Sequence, residues 1–157
     1  MEIYLANSEA TEKLGMLLGT LAESGDVFCF TGDLGAGKTL MSRGVAAGLG
    51  ADTAEVNSPT FTIMNIYQGK KLEIRHFDLY RLNRPEELED IGFDEYCGGD
   101  GVTLIEWAEL FPEQLPEEYL QITLLHDGEG RKAILEPRGS RYEEIIKGVE
   151  HCADFSH

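Results

Sequence analysis

The chain has 157 residues, 42% apolar and 27% charged, the size and balance of one soluble globular domain spanning 1–157. Its 29 acidic and 13 basic residues give a formal net charge of −16, which disfavours a broad contact with a nucleic-acid backbone and leaves a solubilising surface or a basic protein partner. No apolar run reaches the roughly 20 residues that a membrane-spanning helix needs, residues 1–7 lack a secretory signal's pattern, and three cysteines (Cys29, Cys97, Cys152) without a C-x-x-C pair argue against disulfides and zinc, so a cytoplasmic protein is expected.

In chain order, residues 3–5 read as a short strand, and Asn7 or Ser8 as the cap of a helix running to about residue 23. On that helix Leu14, Leu17, Leu18 and Leu21 share a face. Ser24-Gly25-Asp26 turns into a buried strand at 27–31, and a helix is expected over 38–49, stopped by Gly48 and Gly50. After loop-like composition at 52–59, strands at 60–67 and 72–78 flank a hairpin turn at 68–71. Arg84-Pro85-Glu86-Glu87-Leu88 opens a short acidic helix, with proline near its first turn. A second buried strand, 102–105, ends at Glu106. Residues 119–125 and 132–135 make another hairpin around Asp127-Gly128-Glu129-Gly130, 141–149 is a final helix, and 151–157 a frayed tail. Parallel crossovers beside two hairpins imply an α/β fold with a mixed sheet, parallel core strands plus antiparallel hairpins, flanked by helices.

Between the strand at 27–31 and the helix at 38–49 stands Gly32-Asp33-Leu34-Gly35-Ala36-Gly37-Lys38-Thr39, which fits G-x-x-x-x-G-K-[ST]. Strand, glycine loop and helix in that order make a phosphate-binding loop: backbone N–H groups and the positive helix end face phosphate oxygens. Asp33, Leu34, Gly35, Ala36, Gly37, Lys38 and Thr39 are therefore the candidate nucleotide-binding set. Lys38 supplies charge to the outer phosphates, and Thr39 offers a hydroxyl to Mg²⁺. Glu106, at the end of a buried strand, stands where such folds place a second magnesium-binding carboxylate. Asp78, at another strand end, is a candidate to hold a metal-bound water or orient the attacking one. With Lys38, these two carboxylates form the candidate catalytic set.

Other residues leave alternatives open. His76 and Asp78 lie on one side of a strand, but a structural hydrogen bond is the better reading for His76 than a metal pair. Ser58-Pro59-Thr60-Phe61 reads either as a nucleotide-sensing loop or as an ordinary entry into a strand. Trp107, the sole tryptophan, either packs in the core, supports Glu106 or meets a partner. Arg81 and Arg84 have developing phosphate charge or surface pairing with Glu86 and Glu87 as their two readings. Guanine-reading proteins use Asn-Lys-x-Asp, which does not occur here, so ATP is preferred over GTP. A stand-alone small-molecule kinase is disfavoured because no clustered basic lid follows the loop; a regulatory nucleotide-binding module stays open.

Four segments in this order, Gly-Asp-Leu-Gly-Ala-Gly-Lys-Thr at 32–39, Ser-Pro-Thr-Phe at 58–61, His-Phe-Asp-Leu-Tyr-Arg at 76–81 and Glu-Trp-Ala-Glu at 106–109, resemble the TsaE family over nearly the whole chain. Pro85-Glu86-Glu87-Leu88 adds to the likeness. The resemblance implies a weak ATPase of tRNA threonylcarbamoyladenosine biosynthesis that binds ATP and Mg²⁺. It implies the partners TsaD and TsaB, which carry out the transfer and which ATP turnover resets between cycles. By motif it implies that 34–39 bind phosphates, that Thr39 and Glu106 hold Mg²⁺, that Asp78 lies near the γ-phosphate, and that Thr11 lies near the adenine.

Overall fold

The computed structural model describes residues 1–33, 35–52, 54, 64–80, 82, 84–97 and 99–152. Seven strands, β1 (Glu2–Leu5), β2 (Val27–Gly32), β3 (Met64–Gln68), β4 (Glu73–Asp78), β5 (Val102–Glu106), β6 (Tyr119–Asp127) and β7 (Gly130–Arg138), form one sheet in the order β1-β7-β6-β2-β5-β4-β3. The four central strands, β6, β2, β5 and β4, run parallel. Antiparallel pairings close both sides, β3 on β4 and the run β6, β7, β1. The mixed α/β sheet expected from the sequence is therefore present.

Alternation along the strands assigns the two faces. On β2, Phe28 and Phe30 enter one core with Leu14 and Leu18 of α1 (Ser8–Leu21), Met41 and Val45 of α2 (Lys38–Gly48), and Ile145 and Val149 of α5 (Ser140–Cys152). Val27 and Cys29 enter the opposite core, where Leu88 of α3 (Glu86–Asp90) and Phe93 of α4 (Phe93–Tyr96) meet Phe77 and Ile105. All five residues of β5 are buried, as expected of a central parallel strand covered on both sides. Glu106 belongs to the α2 side by the same alternation, sharing it with Leu104 and Val102.

Asn7 caps α1, its side chain accepting from Ala10 N at 2.9 Å, a contact typically worth about 1 kcal/mol. The helix ends at Leu21, two residues short of the expectation. Along its length α1 lies against α2 backbone to backbone. A Cβ built on Gly15 would stand 2.4 Å from the Met41 carbonyl oxygen, and one on Gly44 would stand 2.4 Å from that of Glu12. Only glycine allows this approach, which packs the helix carrying Thr11 directly against the helix beginning at Lys38.

The remaining differences are local. The short acidic helix expected from Arg84 is present as α3, and a second short helix, α4, follows after Gly92 at φ 74°. The hairpin strands β6 and β7 are nine residues each, longer than the apolar pattern marked. Helix α5 continues to Cys152, so residues 151 and 152 are helical rather than frayed; buried Val149 anchors the last turn, where His151 faces the negative helix end. Residues 153–157 and the Ser58-Pro59-Thr60-Phe61 segment lie outside the described residues, as do Leu34 and Arg81.

Candidate nucleotide and metal site

The site forms where the parallel strands end. Strand β2 runs out at Gly32, and in the parallel register Phe30 sits opposite Glu106 and Glu106 opposite Asp78. Ligands collect at the carboxyl ends of such strands. From Gly32 the chain turns through Asp33, Gly35 and Ala36 to Gly37, whose φ of 106° is left-handed and opens α2 at Lys38. The first turn of α2 carries neither a side-chain cap nor an acidic residue, so no side chain of that turn offsets its positive dipole end.

Lys38 is nearly buried, and its ammonium donates to the Gly32 carbonyl and, at 3.0 Å, to the Asp33 carbonyl. The same nitrogen stands 3.8 Å from the centre of the Trp107 ring. Burial lowers its pKa from the ordinary lysine value, against the pull of Glu109, Glu106, Asp78 and Asp33 in the other direction. Four carboxylates thus surround the side chain that the sequence pattern marks for phosphate contact.

Thr39, the next residue, donates its hydroxyl to Glu106 Oε1 at 3.0 Å. That commits the hydroxyl hydrogen and leaves the threonine oxygen's lone pairs for a cation. Glu106 is 2% exposed and its Oε2 is bonded to His76 Nε2. His76 is fully buried and its Nδ1 meets the Tyr67 hydroxyl at 3.0 Å. The structural reading of His76 is therefore the one the geometry supports. Asp78, beside Glu106 in the register, also accepts from Tyr80 N at 3.0 Å. Hydroxyl plus carboxylate is a hard-oxygen donor set of the kind Mg²⁺ takes together with phosphate oxygens and water, so these residues fit the ion.

Trp107 is the only non-glycine residue with positive φ among the described residues, at 61°. Its backbone N–H donates to the Phe30 carbonyl at 3.1 Å, and its ring lies tilted against Tyr80 with centroids 4.8 Å apart. The left-handed turn, which costs roughly 1–2 kcal/mol for such a residue, swings the indole off the strand end and over Lys38. None of the three sequence readings for Trp107 included this contact.

Beside the loop lies a cavity of about 400 Å³, bounded by Asn7, Thr11, Gly35, Ala36, Gly37 and Arg131. The volume suits a nucleoside. Arg131 was not singled out in the sequence; its guanidinium donates to the Gly35 carbonyl at 3.1 Å across the cavity mouth. No local motif marks it, because it arrives only through the pairing of β7 with β1, where it sits opposite Leu5. Glu109, present in the Glu-Trp-Ala-Glu segment but given no role, accepts from Gly32 N at 3.4 Å.

The family profile described as threonylcarbamoyl adenosine biosynthesis protein TsaE matches residues 5–134. The chain belongs to the TsaE family. Its similarity to the tRNA threonylcarbamoyladenosine biosynthesis protein TsaE of Bacillus subtilis (strain 168) is 47% identity over 152 residues, 96% of this chain and 94% of that one. The protein of the same name from Treponema pallidum (strain Nichols) is 40% identical over 134 residues, 85% of this chain and 98% of the relative. Among solved structures, Bacillus subtilis YdiB superposes with a TM-score of 0.81 at 36% identity, covering 96% of this chain and 94% of that one. The TsaE profile takes in the glycine loop, Asp78, Glu106 and Arg131, so the whole cluster lies within the matched segment. Among the described residues, no helix is long and apolar enough to cross a membrane.

Proposed function

We propose that this TsaE-family protein is a Mg²⁺-dependent ATPase that serves threonylcarbamoyladenosine modification of tRNA by resetting a TsaD–TsaB pair between cycles, without carrying out the transfer itself. The observation that carries the reading is the Thr39–Glu106 hydrogen bond beside the glycine loop, which joins the two hard-oxygen donors. The family's biosynthetic name supplies the pathway.

In this reading the loop N–H groups from 34 to 39 and the α2 dipole bind the phosphates. Lys38 turns from the Gly32 and Asp33 carbonyls toward the outer phosphates. Thr39 and Glu106 hold Mg²⁺, which when bound neutralises charge on the phosphate oxygens. Asp78, adjacent to Glu106, orients the attacking water. The cavity beside Thr11 takes the nucleoside, with Arg131 across its mouth. A net charge of −16 repels tRNA, so the surface meets a basic patch of the protein pair rather than the nucleic acid.

The test is steady-state ATP hydrolysis by the full chain, alone and with TsaD and TsaB added. A slow basal rate that rises with the pair supports the reading. Phosphate transfer to a small acceptor without partners, or a rate indifferent to the pair, overturns it. Tight tRNA binding by the isolated chain at physiological salt would remove the electrostatic part.

A further inference from the structure

Tyr67, His76, Glu106 and Thr39 form an unbroken file of hydrogen bonds through the face of the sheet that α2 covers. The file crosses three strands and a helix: Tyr67 is on β3, His76 on β4, Glu106 on β5 and Thr39 on α2. Tyr67 is 3% exposed and His76 fully buried, so water does not compete for these bonds. Their direction follows from what each group can do. An ionised Glu106 only accepts, so His76 Nε2 carries the hydrogen and donates to Oε2. In the neutral ring that tautomer leaves a lone pair on Nδ1, into which the Tyr67 hydroxyl donates.

The geometry points to Tyr67 and His76 as positioning residues that hold Glu106 with Oε1 on Thr39, so that the donor pair for Mg²⁺ is kept together. This rests on the reading of Thr39 and Glu106 as that pair. A carboxylate on a flexible side chain at the end of a strand has several rotamers; a bond to each of its oxygens, one from the helix and one from the neighbouring strand, selects one. The bond from Tyr67 in turn fixes the imidazole plane and its tautomer. Partners of this kind behind a metal ligand typically govern about 10–100-fold in metal affinity.

The experiment measures ADP affinity by calorimetry, with Mg²⁺ and with EDTA, for the wild type, His76→Leu, His76→Gln and Tyr67→Phe. Their ratio is the magnesium increment. In the wild type Mg²⁺ tightens binding; an increment of one would overturn the metal reading itself, and the positioning role with it. His76→Leu is expected to cut the increment about tenfold while leaving the EDTA affinity within about twofold. His76→Gln keeps an N–H that reaches Glu106 and restores most of the increment. Tyr67→Phe removes only a hydroxyl, keeps the ring, and cuts the increment about threefold, so the test stands even if His76→Leu does not fold. Affinity lost equally with and without Mg²⁺, or an increment untouched in both Tyr67→Phe and any folded His76→Leu, overturns the proposal.

Discussion

Lys38 parks its ammonium 3.8 Å above the Trp107 ring while bonded to two carbonyls of its own loop. The indole is therefore a neighbour of the group that, under the proposed function, meets the phosphates. Nucleotide binding is expected to change the fluorescence of this sole tryptophan, and Lys38→Ala to abolish the response while weakening ATP about 10–100-fold. A titration of each protein with ATP reads both. Wild-type affinity in Lys38→Ala would count against the loop assignment.

Glu106→Gln keeps the shape of the side chain and removes its charge. The protein is expected to fold, with stability lowered by about 1 kcal/mol because one hydrogen bond in the buried file loses its match. Phosphate release with MgATP should fall roughly a hundredfold or more. Turnover at the wild-type rate would remove Glu106 from the metal site.

Gly15→Ala places a methyl 2.4 Å from the Met41 carbonyl oxygen and 3.0 Å from the Gly44 Cα, both backbone atoms that cannot step aside separately. A loss of about 1–3 kcal/mol is expected, or about 2–4 °C in Tm for each kcal/mol. Thermal unfolding by circular dichroism checks it. An unchanged Tm would mean that α1 and α2 slide apart freely.

Alkaline pH is expected to destabilise the fold. Burial pushes the Tyr142 phenol from its ordinary 10.0 up to about 12, and burial with nearby Asp94 pushes the Cys97 thiol from 9.0 up to about 12. Above pH 9.0 the unfolded chain releases protons that the folded chain keeps. The unfolded state then binds fewer protons, so stability falls as pH rises, from the ordinary pKa of each group to about 12. Urea midpoints at about pH 8 and about pH 10.5 measure the drop, and Cys97→Ser should make it smaller without moving its onset, because burial raises the Cys29 thiol as well. A flat profile in the wild type would contradict the burial of both groups.

The parts of the fold carried by local pattern were legible in the sequence. The glycine loop declares its own geometry, and the mostly apolar run Val102-Thr103-Leu104-Ile105 before Glu106 declares a central strand and its tip. Asp78 beside Glu106 followed from strand ends, although the register itself did not. Whatever depends on which strands become neighbours stayed hidden. Arg131 reaches Gly35 because β7 bridges β6 and β1, and no spacing in the chain expresses that. Likewise Tyr67 and His76 look like ordinary members of a hairpin until β4 pairs with β5 and brings the imidazole to Glu106. Trp107 was opaque for a different reason: its backbone takes a left-handed turn that bulky residues avoid, so propensity pointed away from the answer.

The pairing of Leu5 with Arg131 has a consequence for how the protein is made. One wall of the cavity is made long before the other, and β2 itself waits for β6 before both of its edges are filled. A nascent chain halted before the last hairpin holds the glycine loop but not the enclosure beside it. Under the proposed function, nucleotide is expected to bind only once β7 has paired with β1, so its binding would report that pairing.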